Sequence, residues 1–108
     1  MSGRPEIVCL CGSTRFAEEF RAVNLALTLA GVIVLAPGVF AHASDPITDE
    51  QKAALAALHL AKIDLADRVV VVNPGGYLGD STRREIRYAH HRGKPVEYTH
   101  PPVPAHAA

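Results

Sequence analysis

Glu85 lies in GGYLGDSTRREI, residues 75 to 86, where glycines, hydroxyls, arginines and carboxylates crowd into what reads as a loop running into a helix. Two roles are open to it. Thr82 and Glu85 spell T-x-x-E, the capping-box pattern in which a carboxylate only returns a hydrogen bond to the backbone. The same carboxylate, beside a glycine-rich loop, could instead do chemistry, and the spacing alone leaves both readings standing. A second stretch, CGSTR at residues 11 to 15, carries Gly12 for close backbone approach, the hydroxyls of Ser13 and Thr14, and Arg15, whose fork matches phosphate oxygens. Ser13 and Ser81 could equally serve as helix N-caps. Neither stretch is a dinucleotide fingerprint or a P-loop, since the required glycine spacing and the lysine after a glycine are absent.

The elements that must position these residues follow from periodicity. IVCLC, residues 7 to 11, is a short apolar run closed by Gly12, as a buried strand would be. Phe16, Phe20, Val23, Leu27 and Ala30 then recur at steps of three and four, the stripe of an amphipathic helix that Gly31 ends. VIVLAP, residues 32 to 37, is a second strand. Residues 38 to 47 carry no usable period and read as a loop over the sheet edge. Thr48 with Gln51 forms another capping box, opening a helix of about four to five turns in DEQKAALAALHLAKIDLA. RVVVVN, residues 68 to 73, has the consecutive β-branched residues of a strand covered on both faces. A third helix is expected from Ser81 or Thr82 to about Arg92, and PVEYT supplies a last strand.

This alternation predicts an α/β domain, a three-layer sandwich around a parallel sheet of about four strands in the order 2-1-3-4. The single domain is expected over residues 1 to 99, with 100 to 108 a flexible tail. In such a sheet ligands lie beyond the carboxyl ends of the strands at the switch point, here the first and third. That rule brings CGSTR and NPGGYLGDST, residues 73 to 82, to one crevice, with two helix N-termini aimed at a phosphate or another anion. Asn73, Gly76, Tyr77, Gly79, Asp80 and Ser81 are the candidate contacts from the second loop.

The chain of 108 residues balances 11 basic against 11 acidic side chains, so it lacks the basic footprint of a protein that grips a nucleic-acid polymer. Cys9 and Cys11 are two apart rather than in C-x-x-C spacing. They read as buried thiols on one strand face in a reducing compartment. The expectation is a cytoplasmic protein, with no membrane span, no cofactor and no metal. His90 and His91 are adjacent on a helix, which does not suit a metal site either.

CGSTR together with GDSTRREIRYAHHRGKPV resembles the nucleoside 2-deoxyribosyltransferase-like superfamily, which includes deoxyribosyltransferases and small nucleoside 5′-monophosphate N-glycosidases. The resemblance runs from about Ile7 to Tyr98. It covers the Gly-Ser loop, the Ala66-Asp67 pair before the third strand, and most specifically Glu85, Ala89, Gly93, Lys94 and Pro95. It implies a flavodoxin-like (Rossmann-like) fold, homodimers or higher homo-oligomers, and a helix-borne glutamate, here Glu85, that attacks the anomeric carbon of the sugar. A carboxylate in a helix's first turn is held ionised by the dipole, as such a nucleophile must be. Two positions depart from the pattern. A tyrosine on the first strand is replaced by Cys9, and an aspartate that assists the departing base by His59, which could act as general acid. Tyr77 and Asp80 could contact base or sugar. The implied function is cleavage of the N-glycosidic bond of a nucleoside or nucleoside 5′-monophosphate by hydrolysis or transfer; the alternative is a catalytically inactive nucleotide-binding or sensing module of the same fold.

Overall fold

The computed structural model describes residues 3–38 and 46–103. Most of the segment expected to loop over the sheet edge, residues 39–45, lies outside the described residues, as does the end of the tail. Four parallel strands, β1 (Ile7–Cys11), β2 (Ile33–Leu35), β3 (Arg68–Val71) and β4 (Val96–Tyr98), form one sheet in the order β2-β1-β3-β4. The helices between them are α1 (Ala17–Leu29), α2 (Asp49–Leu65) and α3 (Asp80–His91). The expected winding is therefore the observed one. No helix among the described residues is long and apolar enough to cross a membrane.

Strand alternation divides the core in two. Val8, Leu10, Val70 and Val72 point to one face, where Phe20 of α1 is buried against them with Val23 and Leu27 beside it. Cys9, Cys11, Val69 and Val71 point to the other, covered by Ile63 of α2 and by Ile86 and Ala89 of α3. Both central strands are thus sealed on both sides, which is why IVCLC and RVVVV are continuous apolar runs rather than alternating ones. The register sets Cys9 beside Val69 and Cys11 beside Val71.

Local signals account for most of the element ends. Thr48 accepts the N–H of Gln51 at 3.0 Å and Gln51 Oε1 accepts the N–H of Thr48 at 2.9 Å, so the capping box of α2 is complete. The entry to α1 differs from expectation. Thr14–Phe16 form a short 3₁₀ turn capped by Ser13, whose Oγ accepts the Arg15 N–H, and the α-helix proper starts at Ala17.

The start of α3 corrects the sequence reading more sharply. Its N-cap is Gly79, with no side-chain cap, so neither Ser81 nor Thr82 opens the helix. Thr82 is buried inside the first turn. Its pairing with Glu85 as a capping box falls away, and Glu85 stands in the second turn.

Candidate functional site

The carboxyl ends of β1 and β3 face a cavity of about 1050 Å³. Gly12, Ser13 and Thr14 line it from the loop after β1, Tyr77 and Gly79 from the loop after β3, and Asp80 and Ser81 from the first turn of α3. His59 of α2 and Glu85 of α3 form part of the same wall. Nine of the twelve residues singled out in the sequence therefore border one hollow, although they come from four separate segments.

The two loops also touch each other. The Arg15 guanidinium lies 4.5 Å from the centroid of the Tyr77 ring, and Phe16 meets that ring edge-on at 6.0 Å. Arg15 thus reaches the cavity through Tyr77 and is not itself a lining residue. Gly12 is where backbone approach is tightest. Its φ is +150°, and a Cβ there would come within 2.5 Å of the Val72 carbonyl oxygen. Only glycine lets the first loop leave β1 alongside β3.

Asn73 and Gly76 are placed elsewhere. Asn73 is fully buried; its Nδ2 donates to the His100 carbonyl at 2.9 Å, and its Oδ1 accepts from the His100 N–H at 3.0 Å and from Thr99 Oγ1 at 3.2 Å. It clamps the exit of β4 rather than facing the hollow. Gly76, at φ +80°, packs against the chain beyond β4, where a Cβ would sit 2.6 Å from the Pro101 carbonyl oxygen. Val103 N–H donates back to Gly76 O at 3.1 Å, so residues 101–103 lie along this loop. Asp64 accepts from Tyr88 Oη and pairs with Arg92, and Asp67 pairs with Arg4.

Behind the wall is a cluster that sequence separation conceals. His59 Nε2 lies 3.7 Å from Glu85 Oε1, 3.3 Å from Cys11 Sγ and 3.8 Å from Cys9 Sγ. Both thiols are fully buried, His59 is 7% exposed, and the Glu85 side chain is 20% exposed. Burial raises the Glu85 carboxyl above the usual carboxylate range against the opposing pull of His59. Burial lowers His59, but its hydrogen bond with Cys9 and the charges of Glu85 and Cys9 outweigh that and leave it raised. The Cys11 hydrogen bond pulls Cys9 down to about 6 despite burial, and the same contact, with burial, pushes Cys11 up. The expectation that a helix dipole in the first turn keeps Glu85 ionised is therefore replaced: from the second turn the dipole is weak, and the opposing charge is the imidazole.

Residues that the sequence reading did not count among the site also border the hollow, among them Lys52, Arg84 and Arg87. They give its rim a cationic character, set against Asp80 and Glu85. The helical spacing of Arg84 and Arg87, one turn apart on the face that carries Tyr88 and His91, was the available signal. No protein-family model matches the chain, and no curated protein matches it.

Proposed function

We propose that this protein cleaves the N-glycosidic bond of a nucleoside or nucleoside 5′-monophosphate, with Glu85 as nucleophile and His59 as general acid. The observation that carries the reading is the placement of Glu85 and His59, 3.7 Å apart, on the wall of a cavity bordered by two loops at the carboxyl ends of β1 and β3. A Glu85 oxygen bonds to C1′ as the C1′–N bond breaks; the electron pair of that bond goes to the base nitrogen, which takes the proton from His59. Water, or a ring nitrogen of a second base, then attacks C1′, its proton passes to His59, and the Glu85 carboxylate departs. The resemblance drawn from CGSTR and GDSTRREI points to the same chemistry.

Lys52, Arg84 and Arg87 at the rim favour a substrate with a phosphate, which the Ser13–Thr14 loop could also contact. The protein is proposed to act as a homodimer. Ala54, Leu58, Ala61 and Leu65 of α2 form an exposed stripe at steps of four, three and four, which a second copy of the same helix would match about a two-fold axis. Leu58 borders the cavity as well, so the partner would help to close it.

The test is base release from a panel of ribo- and deoxyribonucleotides, followed chromatographically. Wild type is expected to liberate free base and Glu85→Gln to lose at least about a thousandfold in rate, on the order of 4 kcal/mol of transition-state stabilisation. Equal release by the two proteins ends the catalytic assignment. Thermal stabilisation by a nucleotide that survives intact would point instead to a binding or sensing module.

A further inference from the structure

We infer that Cys9, Cys11, His59 and Glu85 form a binding site for a thiophilic divalent cation of the zinc class. With metal–sulfur bonds near 2.3 Å and metal–nitrogen or metal–oxygen bonds near 2.0–2.2 Å, the donors of a tetrahedral site stand roughly 3.3–3.8 Å apart. The measured separations around His59 Nε2 are 3.3 Å to Cys11 Sγ, 3.8 Å to Cys9 Sγ and 3.7 Å to Glu85 Oε1. The donor atoms of Cys9, Cys11 and His59 all lie within 4.8 Å of one another. A central ion can therefore reach the two sulfurs and the imidazole with small side-chain movements, and Glu85, 3.7 Å from His59 Nε2, supplies the fourth donor from beside them.

The positions are imposed by secondary structure. Residues two apart on a strand point to the same side, so β1 directs both thiols toward the layer of α2 and α3. His59 descends from α2 and Glu85 from α3. Two sulfurs, one imidazole and one carboxylate are the donor set that a borderline-soft, four-coordinate ion prefers, and hard ions such as magnesium do not. Entry is from the cavity, because His59 and Glu85 line it while the thiols lie beyond them. A bound ion would occupy the lone pair of His59 and an oxygen of Glu85 together. The consequence for turnover, which rests on the glycosidase reading, is that the metal-bound protein is silent and the metal-free protein is active.

The experiment titrates the reduced full chain with Co²⁺. One equivalent is expected to bring up thiolate-to-cobalt charge transfer in the near ultraviolet and the strong visible bands of a four-coordinate ion, both abolished by Zn²⁺. Cys9→Ser and Cys11→Ser should each lose roughly half of the charge-transfer intensity, one thiolate of two, and the double variant all of it. A folded wild type showing only the weak spectrum of hydrated cobalt overturns the site, as does a double variant that keeps the wild-type band. Alkylation of the wild-type thiols needs no substitution: Zn²⁺ should slow it at least about tenfold, and an unchanged rate also overturns the site. Base release is measured on the same samples with zinc and with a chelator. Release that zinc leaves untouched in protein carrying the cobalt spectrum overturns the inhibition. Absence of release under every condition removes the glycosidase reading, while the metal site still stands or falls by the cobalt spectrum.

Discussion

His59 is the residue at which packing and chemistry are hardest to separate. It is nearly buried, it reaches both thiols and Glu85, and it borders the cavity, so its loss would disturb the core as well as the proposed proton transfer. The two effects divide by substrate. A general acid contributes about 10²–10⁴-fold when the leaving group needs a proton. A 7-methylpurine nucleotide carries its positive charge already, and its base departs neutral without one. His59→Asn is therefore expected to cut kcat by about 10²–10⁴ on an ordinary purine nucleotide and by less than about tenfold on its 7-methyl counterpart. Steady-state kinetics with the two substrates check this. Equal losses on both would make His59 a packing residue.

Glu85 and His59 could be named from the sequence because the resemblance carried them, and the crevice could be placed because the strand order dictates it. The thiol contacts were not legible. Cys9 and Cys11 lie 50 and 48 positions from His59, and a C-x-C pair in an apolar strand looks like ordinary core until a helix is laid over it. Asn73 misled for the opposite reason. Its place in a glycine-rich loop suggested a ligand contact, while its buried amide is consumed by Thr99 and His100, partners 26 and 27 positions away.

At the scale of elements, what is encoded within one turn was readable and what depends on a neighbour was not. The α2 capping box needs only Thr48 and Gln51. The same pattern at Thr82 and Glu85 failed because the Thr82 side chain is buried and the chain enters α3 through Gly79 instead. The composition of α2 has a further consequence. Of its 17 residues only His59 and Ile63 are buried, and Leu58 and Leu65 are 52% and 65% exposed. An Ala/Leu helix with so little cover is the surface on which the proposed dimer rests. Leu65→Glu is expected to convert a homodimer to monomer in light scattering after size exclusion, with helical content retained by circular dichroism. A wild type that is monomeric at every concentration tested removes the dimer.

Viewed whole, the molecule separates its structural ion pairs from the charges of the candidate site. At the amino-terminal edge of the sheet, Arg68 pairs with Glu6 at 2.8 Å and with Glu97 at 2.5 Å, tying residues at the starts of β1, β3 and β4. Arg4 forms two bonds to Asp67, of 2.8 and 2.9 Å, across 63 positions, and Asp67 Oδ2 also accepts the Ile7 N–H at 2.8 Å. The cavity and its titrating cluster lie at the opposite, carboxyl-terminal edge. Arg4 and the Ile7 N–H hold the Asp67 carboxyl well below the usual carboxylate range, and the charge of Lys94 adds to this.

The sign of the resulting pH dependence is fixed. A carboxylate whose acidity is strengthened by folding contributes stability above its unfolded value near 3.9, and that contribution is lost as the pH falls toward the lower folded value. Urea midpoints should therefore drop as the pH is lowered from about 5 toward 2, and Asp67→Asn should shallow that acid slope while lowering the midpoint at neutral pH. Because the pair sits at the far edge, the same substitution should leave the cobalt titration at neutral pH unchanged. An acid slope identical in wild type and Asp67→Asn would show that the Arg4 contact does not link the amino-terminal segment to β3.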